Sequence, residues 1–144
     1  MSPSKTRNLQ YAALPYRRRP DASLEVMLIT SRDTGRWVIP KGWPITGLGA
    51  ADSAAREAHE EAGLAGRIGE KPIGAFHYNK KLANGSTTSC AVEVFPLEVD
   101  KQLKNWPERA ERITRWFDLQ EAAGLVQEPE LQELIRKLAK LLAK

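Results

Sequence analysis

Cysteine is almost absent from this 144-residue chain, Cys90 being the only one. A disulfide framework is therefore excluded, and so is a thiolate-rich zinc site. Histidine is scarce as well, and His59 and His77 stand too far apart in sequence to suggest a histidine-rich metal centre. Any metal held here is then a hard cation on carboxylates. No apolar run approaches the roughly 18 residues needed to cross a bilayer. Met1 to Asn8 is polar and basic, and does not read as a secretory signal. A lone thiol and these absences predict a cytoplasmic protein. No repeat, low-complexity tract or long linker divides the chain, so one domain over residues 1–144 is expected.

The composition, 42% hydrophobic and 28% charged, is that of a globular domain able to bury about two-thirds of its unfolded surface. A formal net charge of +4 and a pI near 9.3 favour anionic partners without choosing among them. Residues 9–16 and 24–30 are apolar runs rich in strand formers, separated by the polar break Arg17 to Asp21. Trp37-Val38-Ile39 reads as a short buried strand ended by Pro40, and residues 41–49 as a glycine-containing loop. Residues 72–80 and 87–98 read as two strands joined at Ala83-Asn84-Gly85, since Asn-Gly is a strong hairpin signal. Arg112 to Asp118 reads as a further strand. From about 129 to 144, Leu131, Leu134, Ile135, Leu138, Leu141 and Leu142 recur at helical steps, which predicts a helix packing its leucines on the sheet. Its basic amphipathic end is also the pattern of a surface-seeking helix. The fold class expected is α/β (α+β), a mixed sheet sandwiched between helices.

From Gly49 to Gly63 the pattern is helical, with Asp52 in the first turn and Gly63 as the stop. At about 100° per residue, Glu57 and Glu61 lie roughly 40° apart and Glu60 about 60° to the other side of Glu57. Three carboxylates thus share one stripe. Without a partner they repel. A divalent cation reverses the sign, because magnesium takes oxygen ligands and keeps room for phosphate oxygens. The bland alternative is a solvated acidic face on an alanine-rich helix.

The wider segment, Gly42 to Leu64, resembles the Nudix box, G-x5-E-x7-R-E-U-x-E-E-x-G-U with U a bulky aliphatic residue. Gly42, Arg56, Glu57, Glu60, Glu61, Gly63 and Leu64 stand at the right offsets. Two positions depart from it. Leu48 stands where the first Glu belongs, and Ala58 replaces a larger aliphatic residue.

The resemblance implies a Nudix fold and a magnesium-dependent hydrolase, with Mn2+ as an alternative to Mg2+, cleaving a phosphoanhydride bond. It implies Glu57, Glu60 and Glu61 as metal carboxylates, a backbone carbonyl from Lys41 or Gly42 as a further ligand, and Arg56 as the group orienting a carboxylate. The water-activating base would be Glu57, or Glu111 from a later loop.

Beyond the box, Ser31-Arg32, the run Gly35 to Gly42, Trp106-Pro107-Glu108, Arg112 and Arg115-Trp116-Phe117 look like the diphosphoinositol polyphosphate phosphohydrolases and their small bacterial relatives. That branch implies a highly anionic small molecule, a diphosphoinositol or diadenosine polyphosphate. Arg32, Lys41, Gly42, Trp43, Lys80, Arg112 and Arg115 are the expected substrate contacts. Most lysines and arginines on any protein are merely solvated surface, and Trp37 and Trp116 read as core. Nucleic acid is expected only as a 5′-phosphorylated RNA substrate, because no nucleic-acid-binding motif is present. A nucleoside diphosphate derivative is another substrate alternative. A non-catalytic nucleotide-binding domain is the other reading, motivated by Leu48. Monomer and homodimer both fit.

Overall fold

Ala12, Leu14, Tyr16, Val26 and Leu28 point to one face of a sheet, and Ala13, Met27 and Ile29 point to the other; all are buried. These residues lie on β1 (Leu9–Arg18) and β2 (Leu24–Thr30), which are covered on both sides. That is why they read as continuous apolar runs rather than alternating ones. The computed structural model describes residues 8–144. The expectation about Met1 to Asn8 falls, apart from Asn8, outside them.

The other strands are β3 (Trp37–Val38), β4 (Lys41–Gly42), β5 (Leu64–Ile68), β6 (Gly74–Lys81), β7 (Thr87–Gln102) and β8 (Thr114–Asp118). The sheet runs β3-β2-β1-β7-β5, with β4 on β1, β6 on β7 and β8 on β2. Among the described residues only β1 and β7 pair in parallel, from Leu9↔Ala91 to Tyr16↔Glu98. The sheet is mixed, as expected. Helix α1 (Ala50–Ala62) packs its Ala54, Ala58 and Ala62 against Met27, Ile29, Phe95 and Leu97 on one face. Small side chains at four-residue steps let the helix lie close, which is the packing role of Ala58. On the other face lie α2 (Leu119–Leu125), α3 (Pro129–Arg136) and α4 (Leu138–Leu142). Leu131, Ile135 and Leu138 are buried there against Val92, Val94 and Phe117.

Several boundaries differ from the sequence reading. Residues Lys41–Gly42, read as loop, pair with Tyr11 and Ala12. β5 was not foreseen, because Gly66 dilutes its apolar pattern. A side chain there would run into the Glu98 carbonyl, and the register shifts beside it. The C-terminal helix is not continuous but breaks at Lys137 (φ −97°, ψ 8°). The hairpin is as expected: Gly85 takes φ +88°, and Asn84 Oδ1 accepts from the Ser86 N–H at 2.9 Å.

Candidate active site

β1 exchanges one neighbour for another along its length. It pairs with β2 over Tyr16–Arg18 and with β4 over Tyr11–Ala12, and between them the Ala13 N–H donates to the Pro40 carbonyl at 3.0 Å. The chain between β2 and α1 folds into the gap so opened. A cleft of about 370 Å³ lies there, with Gln10, Lys41 and Tyr78 from the sheet, Arg32 and Trp43 from the connecting segments, and Glu61 from α1. Lys80 and Arg112 add two more cations to its walls, and Asp33 an acid.

Helix α1 delivers the carboxylates. Gly63 caps it in the left-handed conformation at φ +69°, and its Cα faces the Trp106 ring, where a methyl group would collide. The helix end is clamped by the segment after β7. The Leu103 N–H donates to the Gly63 carbonyl at 2.8 Å, Gln102 Nε2 to the Ala62 carbonyl at 2.9 Å, and the Glu108 N–H to the Glu60 carbonyl at 3.1 Å. At the other end Ser53, fully buried, accepts the Ile45 N–H at 3.2 Å. A hydroxyl therefore ties the loop to the helix, close to where Leu48 replaces the acidic residue of the box.

The Glu57 and Glu61 carboxyl groups lie next to each other near the end of α1, and each shifts the other's titration. Two neighbouring carboxyls without a cation between them disfavour double ionisation. Glu61 is 7% exposed. Its burial and the neighbouring Glu57 carboxyl push its carboxyl up to about 8, against the pull of Arg112. Burial also raises Glu57. Glu57 lies under the backbone of Gly42, so a Cβ there would overlap its carboxyl carbon and stand 2.5 and 2.8 Å from its oxygens. Only glycine allows this approach. Glu60 is half-buried, and among the described residues no three acidic, histidine or cysteine side chains converge on one point. The stripe thus delivers two carboxyls together and leaves the third aside.

The donor set fits a hard divalent cation. The side-chain ligand atoms it offers are carboxyl oxygens, and a cation between them would relieve the repulsion of two carboxylates. A consequence follows for the metal-free protein. Between the ordinary carboxyl value of 4.5 and about 8, the unfolded chain has lost a proton that folded Glu61 keeps. The resulting stabilisation is full below 4.5 and fades as pH rises through 8. Melting temperature in chelator should therefore fall more steeply over this window in the wild type than in Glu61→Gln. Parallel curves would contradict the assignment.

The expected cationic residues divide into two groups. Lys41 and Lys80 have no acidic partner among the described residues. The Lys41 ammonium stands 4.8 Å from the Tyr78 ring centroid, and Lys80 stands 6.0 Å from that of Trp43. Burial lowers the Lys41 pKa while Glu61 pulls it up. Arg32 instead bonds Glu111 at 3.0 Å and approaches Glu108 at 4.0 Å. Arg112 is engaged inside the protein. Trp43 is 39% exposed at the mouth.

Three expected residues stand elsewhere. Arg115 lies outside the cleft lining, on the same side of β8 as Phe117, with its guanidinium 5.7 Å from the Trp37 ring centroid. Strand alternation sets that direction. Glu111, in a short 3-10 turn (Arg109–Glu111), is exposed and held by Arg32. Arg56 is exposed and makes no ion pair among the described residues. The guanidinium beside the helix carboxylates belongs to Arg112.

Sequence reading missed Gln10, Tyr78 and Glu108. The Tyr78 hydroxyl donates to Gln10 Oε1 at 2.6 Å, which forms part of the cleft floor. No local pattern joins those two residues. Glu108 stands four residues before Arg112, a spacing the sequence does display.

Residues 10–142 match the family model described as NUDIX domain. The chain is 30% identical over 125 residues to Nudix hydrolase 13, mitochondrial, of Arabidopsis thaliana, covering 83% of this chain and 62% of that protein. It is also 30% identical over 125 residues to diphosphoinositol polyphosphate phosphohydrolase 3-alpha of Mus musculus, covering 83% of this chain and 72% of the other. The chain spans less than two-thirds of the first plant relatives, 62%, 60% and 59% of their lengths. Among solved structures it superposes on a C. elegans Ap4A hydrolase binary complex with a TM-score of 0.67 at 23% identity, over 94% of this chain and 97% of that one. That likeness is one of fold. No helix among the described residues is long and apolar enough to cross a membrane.

Proposed function

This chain belongs to the NUDIX domain family, and on that premise we propose that it is a magnesium-dependent hydrolase, with manganese as an alternative ion. It acts as a single domain and cleaves a phosphoanhydride bond in a small polyphosphate, a diadenosine polyphosphate ahead of a diphosphoinositol polyphosphate. The observation that carries this reading is the adjacent Glu57–Glu61 carboxyl pair, set beside a cleft lined by Arg32, Lys41, Lys80 and Arg112.

Glu57 and Glu61 would hold the metal, with Glu60 reached through water and a carbonyl near Gly42 as a further oxygen. The ion would neutralise the leaving phosphate and acidify the attacking water. The chain's own residues do the rest. Lys41 and Lys80 receive phosphate oxygens, because no acidic side chain among the described residues engages either. Arg32 can join them once it releases Glu111. Glu57 takes the proton from water in this reading, since Glu111 is exposed and ion-paired with Arg32. Cys90 is buried and free, which suits a reducing compartment such as the cytoplasm.

Substrate choice rests on Trp43. With two uncommitted lysines and an exposed indole, the cleft offers a few phosphate contacts and a flat apolar face, which suits a nucleoside polyphosphate. A diphosphoinositol polyphosphate carries more charge and no aromatic ring to stack. Trp43→Ala is expected to raise KM for diadenosine tetraphosphate about tenfold, the scale of one lost stacking contact, and to leave KM for a diphosphoinositol polyphosphate within about twofold. Equal changes for both would remove the stacking role.

The second reading, a nucleotide-binding domain without turnover, is favoured by Leu48 and by the exposure of Arg56. Metal-dependent binding without hydrolysis on a panel including ADP-ribose and 5′-triphosphorylated RNA would establish it.

A further inference from the structure

The Arg112 guanidinium is committed within the protein. Its side chain is 9% exposed, like that of Glu61, although it borders an open cleft. Nε donates to Glu108 Oε1 at 2.8 Å, Nη1 donates to the Thr30 carbonyl at 3.1 Å, and Nη2 stands 3.7 Å from Glu61 Oε1. These partners come from three places: the end of β2, the end of α1 and the segment preceding the 3-10 turn. Arg32, by contrast, leaves 54% of its side chain exposed.

A planar guanidinium fixed on two sides can present its third nitrogen in one direction only. That direction is toward Glu61. The chain thus places a fixed cation beside the carboxyl that neighbours Glu57, while Arg56, on the same helix, is exposed. We infer that Arg112 is a positioning residue: anchored by Glu108 and the Thr30 carbonyl, it sets the orientation of the Glu61 carboxylate and does not bind substrate phosphate. This rests on the proposed reading of Glu61 as a metal-holding group.

The anchoring is asymmetric in a useful way. Glu108 is itself pinned to α1, because its N–H donates to the Glu60 carbonyl. Helix end, anchor and guanidinium are therefore joined in one hydrogen-bonded chain. Displacing any of them displaces Glu61.

The test compares Arg112→Met and Arg112→Lys with wild type in two measurements. One is kcat and KM for diadenosine tetraphosphate. The other is Mn2+ affinity of the substrate-free protein, read by electron paramagnetic resonance. Loss of an outer partner of a metal ligand costs about 10–100-fold in activity or affinity. Arg112→Met is thus expected to lower kcat and Mn2+ affinity on that scale while KM stays within about twofold. Arg112→Lys is expected to recover part of both, since it keeps the charge and loses the fork. A raised KM with unchanged kcat and Mn2+ affinity would make Arg112 a substrate contact and overturn the inference, as would no change at all.

If Arg112→Met fails to fold, Glu108→Gln removes the anchor and keeps the guanidinium. A smaller shift of the same kind, about threefold or more, is then required, and wild-type values overturn the inference. If the wild type hydrolyses nothing on the panel, the Mn2+ affinities decide alone. Weaker binding in the variants supports the positioning role, and equal binding ends it.

Discussion

Glu61→Gln is expected to leave the fold intact and to cut metal-dependent turnover by at least about a hundredfold, the scale of losing preorganised charge at a metal site. The fold survives because glutamine matches the shape of the Glu61 carboxyl, which burial pushes up to about 8 and so toward the neutral form. Glutamine can donate to Glu57, and it no longer needs the Arg112 charge. What is lost is the anion that forms when a cation displaces the proton. A thermal melt at neutral pH beside the rate assay separates the two effects. Near wild-type turnover with an unchanged melt would remove Glu61 from the metal site.

Gly42→Ala is expected to be almost as damaging to activity while costing little stability. The added methyl group would occupy the space now filled by the Glu57 carboxyl. That carboxyl is the far end of a flexible side chain, so it can swing away and relieve the collision. The fold then loses one local contact, and the melting temperature should shift by no more than about 5 °C. The site loses the pairing of Glu57 with Glu61, so turnover should fall by about 10- to 100-fold. A large fall in melting temperature with kcat preserved would mean that Gly42 serves the backbone and not Glu57.

How much of this was legible in the sequence depends on how far each feature reaches along the chain. The helix carrying Glu57 and Glu61 was readable because its stop, its alanine face and its box spacing all lie within one short segment. The long hairpin was readable from Asn84-Gly85. β5 was not, since Gly66 is there for a close approach to Glu98, a partner on a distant strand. α2 escaped although Asp118 caps it by accepting from the Glu121 N–H at 2.8 Å. That D-x-x-E signal was present, but the helix is only seven residues long. The break at Lys137 has no glycine or proline to announce it.

The site shows the same division. Periodicity put three carboxylates on one stripe, whereas the fold brings two of them into contact, because meeting also depends on burial and on Gly42. The family pattern assigned the orienting guanidinium to Arg56, the nearest arginine in sequence. The guanidinium that stands beside Glu61 in the fold is that of Arg112, from a different element. Arg115 reads as a neighbour of Arg112, yet strand alternation turns it to the opposite side of the sheet. Lys41 and Lys80, far apart in sequence, both line the cleft because β4 and β6 flank it through β1 and β7.

The most direct measurement is hydrolysis of diadenosine tetraphosphate by the purified protein with Mg2+, with chelator, and with Glu61→Gln in place of wild type. Turnover that requires the ion and falls by about a hundredfold or more in the variant is the expected result. Turnover that persists in chelator, or that Glu61→Gln leaves intact, would contradict the carboxylate pair as the seat of the chemistry.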